Sequence, residues 1–423
     1  MTSIAGHETT AKGIAAARAV GQAIAYSIVP LSVVQWSSLP AISIVFVPIY
    51  LVAAIGLLAA AGGLRMPATI VTVGYFLLVC YVVLLGVEIV NGDFGRFPRP
   101  VDSNFLTVYF ILPAFPFFAL GLQAVGARIE RFEMVMGATI VISASWSIYQ
   151  FVTTGSPRVG GFNDLNQLPY AMAILLWSLF LLARAFASKR FDMVRAAVAF
   201  AGLVPIFFSG SKLVWLVTGL GYAAILLWWA WSWRQWIVLG AFAFVAGGGA
   251  FALYQTRFVR RRITPLVAEL TAFASTGDTS GPTFGLRLSA AVSGFLAFLE
   301  RPFFGYGLAD VKLAALAHRP DYVTEFTHLW HLHNQYITHM VAFGVFGPLF
   351  LVGFLALFPF AGARSGDEGV KRFSFVVPCL LAIYMLAAIF FSQSPLYAIV
   401  FVLIGIVLLA GLEKAPSPPA RPV

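Results

Sequence analysis

The stretch QTRFVRRRITPLVAELTAFASTGDTSGPTFGLRLSAAVSGFLAFLERPFFGYGLADVKLAALAHRPDYVTEFTHLWHLHNQYITHMVAFGVFG, residues 255–347, decides how the chain is read. Residues 255–332 are too polar to lie inside a bilayer, and they lead into an apolar run that begins at His333-Asn334. On either side the chain consists of apolar runs of about 20 residues, the length that crosses a hydrocarbon core. The composition agrees, with 60% hydrophobic and only 10% charged residues and a mean hydropathy of +0.89. These features predict an all-α polytopic membrane protein with one long loop.

Twelve spans are expected, near 19–37, 40–62, 67–90, 104–126, 134–153, 167–187, 196–210, 213–231, 235–254, 334–358, 373–392 and 395–413. The first follows Lys12 and Arg18 and runs on into further spans, which fits a retained helix better than a cleaved signal. Ser209-Gly210-Ser211-Lys212 separates the seventh from the eighth; if the two were one unit, everything downstream would be inverted. The organisation expected is a nine-span scaffold over 1–254, an outer loop with amphipathic helices over 255–332, three spans over 333–413, and a proline-rich tail over 414–423. No repeat of the length used by solenoids stands out.

The net charge of +10 is first a topology signal. With the N-terminus inside, inner segments carry fifteen Lys and Arg and the short outer loops four: Arg96, Arg99, Arg158 and Lys212. The remaining eight lie between 255 and 332, in a loop too long to vote. Both termini are therefore expected in the cytoplasm and the long loop outside, in a bacterium the periplasm. Cys80 and Cys379 fall in apolar runs without metal-ligand spacing, so neither a disulfide nor thiol chemistry is expected.

The loop carries helix signals. Thr264-Pro265 reads as an N-cap followed by proline at the first helical position. Leu288, Val292, Phe295, Leu296 and Leu299 form an apolar stripe at helical spacing, suited to lying on the membrane surface or capping a bundle. That helix should stop at Arg301-Pro302, before the turn at Gly305 and Gly307.

Five of the six histidines, His318, His328, His331, His333 and His339, crowd into this region, yet no His-Glu-x-x-His pattern or neighbouring cysteine makes them a zinc set. No Asp-x-Asp pair suggests a magnesium clamp. Neither a metal nor another cofactor is expected. His333 is the candidate base: at the start of a helix, the unsatisfied N–H groups and the dipole favour a neutral ring. Arg257, Arg260, Arg261 and Arg262 stand just outside a span, against the topology bias, with Arg287, Arg301 and Arg319 following. Guanidinium groups bind phosphate oxygens in pairs, so a phosphate or diphosphate at the outer leaflet is the natural partner, with lipid headgroups the plainer one. Arg158 precedes a polar turn with Asn163 and Asn166 that could face a sugar.

His333-Asn334, nine residues, then Gly344-Val345-Phe346-Gly347 resembles the His-[Asn/Ser/Gln]-x9-Gly-x-x-[Gly/Thr/Tyr] signature of bacterial O-antigen ligases and the related O-antigen polymerases. Arg287 with Arg301-Pro302-Phe303-Phe304-Gly305-Tyr306-Gly307 is similar to the family's arginine and Pro-x-x-Gly-x-Gly segment. Arg158 with Gly161 and Asn166, and Ser209-Gly210-Ser211-Lys212, resemble two further elements, the last with lysine where arginine is commoner.

The resemblance implies a GT-C-type glycosyltransferase taking its glycan from undecaprenyl diphosphate at the periplasmic face of the inner membrane. It implies transfer to lipid A-core, or to a second lipid-linked glycan in a polymerase, or to protein in an oligosaccharyltransferase. His333 would be the base, with Arg287, Arg257, Arg260, Arg261, Arg262, Arg158 and Lys212 around the diphosphate. Asn334, Asn163, Asn166 and Tyr336 would support the acceptor, and Gly305, Gly307, Gly344 and Gly347 would shape the motif. Membrane lipids are the other expected partners, and nucleic acid is not one. A flippase would instead require charges deep in several spans, whereas the main intramembrane acid, Glu88, sits near a span end. A non-catalytic scaffold would leave the Arg and His cluster without a purpose.

Overall fold

The computed structural model describes residues 2–33, 46–92, 103–155, 167–327, 329, 331–388 and 394–412. Among these there are seventeen helices and no strand. In chain order they are α1 (Thr2–Val33), α2 (Phe46–Ala61), α3 (Ala68–Val90), α4 (Ser103–Ala124), α5 (Ile129–Thr154), α6 (Gln167–Ala185), α7 (Met193–Ala201), α8 (Leu203–Phe208), α9 (Lys212–Trp233) and α10 (Trp236–Tyr254). Then follow α11 (Arg257–Thr276), α12 (Gly285–Glu300), α13 (Val311–Ala317), α14 (Gln335–Phe343), α15 (Phe346–Gly362), α16 (Glu368–Met385) and α17 (Ser394–Leu412).

Every apolar run of the sequence is helical over most of its described length. Among the described residues six helical stretches are long and apolar enough to cross a membrane: Gly13–Val33, Ala68–Val90, Ile129–Thr154, Gln167–Ala185, Lys212–Trp233 and Trp236–Tyr254. Five apolar helices are shorter: Phe46–Ala61, Leu112–Ala124, Met193–Phe208, Phe346–Gly362 and Leu396–Leu412. The run expected as one span over 334–358 is two helices, α14 and α15, because Gly344 adopts φ +58 and breaks it.

Burial separates a protein core from a surface that water would not tolerate. α6 is enclosed along almost its whole length, and α17 is buried from Leu396 to Ala410. In contrast, α10 buries none of its residues, and Ile237, Phe244 and Val245 stand fully outward. A helix this apolar gains nothing from exposure unless its surroundings are hydrocarbon. The chain is a membrane protein on this ground.

The bundle has two chemically different ends. At one, Glu133 near the start of α5 is ion-paired with Arg184 at the end of α6 and with Arg195 on α7 (2.9 Å). Arg184 also pairs with Asp367, which caps α16, and Arg195 with Asp192, which caps α7 (2.8 Å). At the other end lie Asn91, Lys212 and the segment 255–333, joined by the contacts described below. The passes between the ends answer the question raised by Ser209–Lys212. α7 and α8 leave the ion-paired end at Arg195 and reach the turn at Gly210. α9 then returns until Trp229 Nε1 donates to the Ser188 carbonyl (2.9 Å). The two segments are antiparallel passes.

One expectation for the loop is corrected. The helix expected to open at Thr264-Pro265 begins at Arg257, capped by Thr256, whose hydroxyl accepts from the Val259 N–H (3.4 Å); Pro265 lies inside it. Arg257–Arg262 are therefore helical. α12 runs where its stripe predicts: Gly285, Leu286, Ser289, Ala290, Ser293, Gly294 and Ala297 face inward, while Phe295 and Leu299 are exposed.

Candidate active site

The site is assembled by a chain of contacts at the loop-bearing end. Ser209 closes α8, Gly210 turns with φ +64, and Ser211 caps α9, whose first residue is Lys212. Phe258 of α11 packs against Phe207 and Trp215 on either side of this turn (ring centroids 5.2 and 6.0 Å), so the break between α8 and α9 and the start of α11 meet. Further along α11, Glu269 accepts from the backbone N–H groups of Thr283 (3.0 Å) and Phe284 (2.6 Å), and Phe273 packs edge-on against Phe284. The Glu269 carboxylate thus occupies the N-terminus of α12, where dipole and free donors favour an anion. Burial works against its charge, but the Phe284 and Thr283 donors and the nearby Lys212 ammonium outweigh it and hold the pKa below the usual carboxylate value.

Arg287 stands in the first turn of α12. It is half-buried, and among the described residues no hydrogen bond or ion pair holds its guanidinium. Burial lowers its pKa, offset in part by the negative charge of Glu269, with Tyr384 of α16 also close by. An arginine keeps its charge in such a setting, so a half-buried cation is left without an anion in contact.

His331 and His333 lie beside it, their rings 4.1 Å apart and nearly perpendicular. His333 immediately precedes the N-cap Asn334, whose Oδ1 accepts from the Ile337 N–H (3.1 Å) at the start of α14. Its backbone is left-handed, φ +53, one of two non-glycine residues with positive φ among the described residues. That conformation costs an L-residue of order 1–3 kcal/mol and is concentrated at functional sites. Burial pushes the His333 pKa down to about 3, helped by His331 and the positive charge of Arg287. His331 is likewise driven by burial to about 4, with Arg287 adding to the fall. The neutral ring expected at residue 333 is present, but burial and neighbouring cations, more than a helix terminus, account for it.

The other histidines have separate surroundings. His318 donates from Nδ1 to the Ala314 carbonyl (2.7 Å) and pairs with Glu300, both of which raise its pKa. His339 is fully buried in α14, stacked on Phe350. His328 lies outside the described residues. Among the described residues no three His, Cys, Asp or Glu are grouped to hold a metal.

The motif glycines have a clear structural reason. The segment after α12 is laced to the end of α14 by Tyr306 N–H to Val341 O (2.8 Å), Gly307 N–H to Ala342 O (3.0 Å) and Val345 N–H to Pro302 O (2.8 Å). A side chain on Gly305 would overlap the Val341 and Ala342 carbonyls, one on Gly344 the Phe303 and Pro302 carbonyls, and one on Gly347 the His339 carbonyl. Gly305 and Gly344 also have positive φ. Gly305→Ala is expected to cost roughly 1–3 kcal/mol from its backbone alone, more with the overlap, and thermal unfolding of the detergent-solubilised variant will show it. The same segment is fixed to α3, since Asn91 Nδ2 donates to the Phe304 carbonyl (2.9 Å) and Glu88 accepts from the Leu308 N–H (3.1 Å).

The other expected site residues make contacts of their own or lie outside the described residues. Arg260 folds back on the end of α10, bonding Gln255 and the Tyr254 carbonyl (3.3 Å). Arg257 and Arg261 are exposed. Arg262 lies on the same helix. The Tyr336 hydroxyl donates to the Ala382 carbonyl of α16 (3.2 Å), a tie between helices. Arg158, Asn163 and Asn166 lie outside the described residues. Sequence reasoning missed Glu269, His331 and Tyr384. His331 carried a signal, its place two residues from His333, whereas Glu269 and Tyr384 come from other helices.

No curated protein matches the chain. Residues 196–352 match the family model described as O-antigen ligase, a range that includes Lys212, α11, Arg287, His333 and all four motif glycines. Over that stretch the chain is similar to the O-antigen ligase family.

Proposed function

We propose that this protein is an O-antigen ligase, transferring a glycan from undecaprenyl diphosphate to lipid A-core at the periplasmic face of the bacterial inner membrane. The reading sets both termini in the cytoplasm, twelve crossings between them, and the Arg287–His333 end outside. The observation that carries it is Arg287, a half-buried cation without an ion pair or hydrogen bond among the described residues, beside a neutral imidazole on a strained backbone. A desolvated cation of this kind is suited to an incoming anion.

In the reaction proposed, an acceptor hydroxyl oxygen attacks the anomeric carbon while the bond from that carbon to the diphosphate oxygen breaks. The leaving diphosphate takes the electron pair and develops charge against Arg287, with Lys212 and the α11 arginines further supplying positive field. His333 receives the hydroxyl proton and later releases it to water. Attack opposite the leaving group inverts the anomeric centre. His333 could instead hydrogen-bond the diphosphate.

A polymerase acting on a second lipid-linked glycan shares every one of these groups and differs in its acceptor. Purified protein in liposomes, given lipid-linked glycan and either lipid A-core or more lipid-linked glycan, separates the two by product. Movement of unmodified donor across the bilayer without transfer would support a flippase and overturn the enzyme reading.

A further inference from the structure

We propose that the outward face of α12 and the Phe303-Phe304 pair that follows it are immersed in the acyl chains of the bilayer leaflet on the site's side. Together they form a wedge that holds the Arg287–His333 site at the membrane surface.

The first observation is the polarity of α12. Between Arg287 and Glu300 the helix carries no charged residue, and its hydroxyls belong to Ser289 and Ser293. Both are fully buried and turned back onto the helix itself, bonding the Gly285 (3.1 Å) and Ser289 (2.8 Å) carbonyls. The small residues beside them take up the contact with α14, where a side chain on Gly294 would overlap Ile337. Of the large apolar side chains, Leu286 is buried and Leu288, Val292, Leu296 and Phe298 are half-buried, while Phe295 and Leu299 point away, 44% and 54% exposed. A helix in water does the reverse, burying its large apolar side chains and exposing its hydroxyls. With its polar groups inside and phenylalanine and leucine outside, α12 is built for an apolar surrounding.

The second observation supplies that surrounding. Phe303 and Phe304 are 67% and 49% exposed, and the Phe304 carbonyl is bonded by Asn91 at the C-terminal end of α3. α3 is one of the helices long enough to span, and its last residues, Ile89 and Val90, are themselves exposed. The Phe303-Phe304 pair therefore continues the lipid-facing surface of a spanning helix at the depth where that helix ends. The apolar part of α12, Leu288–Leu299, is about 18 Å long by helical rise, too short for a core of about 30 Å, so it enters one leaflet only. Next in sequence, the Arg301 guanidinium stacks over the Tyr306 ring (4.5 Å), a cation and an aromatic placed where headgroups lie.

The consequence is positional. Gly305–Gly307 are bonded to the end of α14 and Arg287 opens α12, so the wedge joins two elements that carry the site. A lipid-borne substrate would meet its cations without leaving the leaflet.

The test uses the full chain in liposomes of phosphatidylethanolamine and phosphatidylglycerol. With Cys80 and Cys379 replaced by alanine, nitroxides are placed at Phe295→Cys and Phe303→Cys, at Val79→Cys on the exposed middle of α3, and at Asp278→Cys in the exposed turn between α11 and α12. Phe295 and Phe303 are expected to match Val79, relaxed more by oxygen than by a water-soluble nickel chelate, with Asp278 the reverse. Preference for the nickel chelate at 295 and 303 overturns the proposal in favour of water. Shielding from both reagents overturns it in favour of a protein covering this face. Should a labelled variant misfold, a benzophenone amino acid at Phe295 in the native chain gives the same decision. Cross-linking to phospholipid supports immersion, and cross-linking to protein alone, or to nothing, refutes it. None of these measurements depends on catalytic activity.

Discussion

Replacing His333 by alanine is expected to lower glycan transfer by about 10²–10⁴-fold, the usual contribution of a positioned base, while the protein still purifies as a folded species. The pH dependence makes the role specific. In the unliganded protein burial, His331 and Arg287 hold the His333 pKa near about 3, so the acid limb of kcat/KM should show no break near the ordinary 6.5. A bound diphosphate brings negative charge beside the ring and raises its pKa, which strengthens it as a base only when the donor is present. The acid limb of kcat should therefore lie at higher pH than that of kcat/KM. Limbs that coincide near 6.5, or full activity in the alanine variant, would remove His333 from the chemistry. Stability constrains the range of such a measurement. Both His331 and His333 have folded values below 6.5, so the unfolded chain takes up protons first as pH falls. Their contribution is complete above about 6.5 and declines toward about 3, so the profiles belong above about pH 5 and should be paired with thermal unfolding.

The helical membrane character was legible because it rests on composition and run length, which need no tertiary information. What stayed open depended on knowing the solvent. The stripe at Leu288, Val292, Phe295 and Leu299 has a period that predicts α12, but a period cannot say whether its apolar side meets protein or lipid, and the inward side proved to be the small residues. Pro265 after Thr264 looked like a helix start because proline fits there without losing a bond. The true start at Arg257 was masked by four arginines, which sequence rules do not favour in a first turn. The spacing from His333 to Gly344 and Gly347 was readable since α14 fills it with one uninterrupted helix, and the glycines meet carbonyls of the neighbouring segment.

The site was legible in its local parts. His333 and Arg287 stood out by residue type and motif, and the structure brings the His333 ring within range of the Arg287 charge. Glu269 and Tyr384 were invisible because nothing short-range connects α11 or α16 to residue 287. The arginines of α11 were grouped with Arg287 on charge alone, and Arg260 instead turns toward Gln255 and Tyr254.

Arg287→Ala is expected to reduce transfer by about 10²–10³-fold, as when one donor stabilising developing charge is removed, and Arg287→Lys to fall between, because the charge stays and the planar fork is lost. A fall in activity alone would not distinguish a substrate-binding arginine from a structural one, so stability decides. Arg184 is ion-paired with Glu133 and Asp367, and removing such a partner would strand buried charge. Arg287 has no such pair among the described residues, and its burial without an anion opposes folding. Its removal should leave thermal stability unchanged or raise it. Added pyrophosphate, by contrast, should raise the midpoint of the native chain and not that of Arg287→Ala, since a ligand stabilises only the state that binds it. Because Arg287 also depresses His331 and His333, the alanine variant should move the acid limb of residual kcat/KM upward. A loss of stability in Arg287→Ala, with equal stabilisation of both proteins by pyrophosphate, would mean that Arg287 holds the fold and that the anion is bound elsewhere.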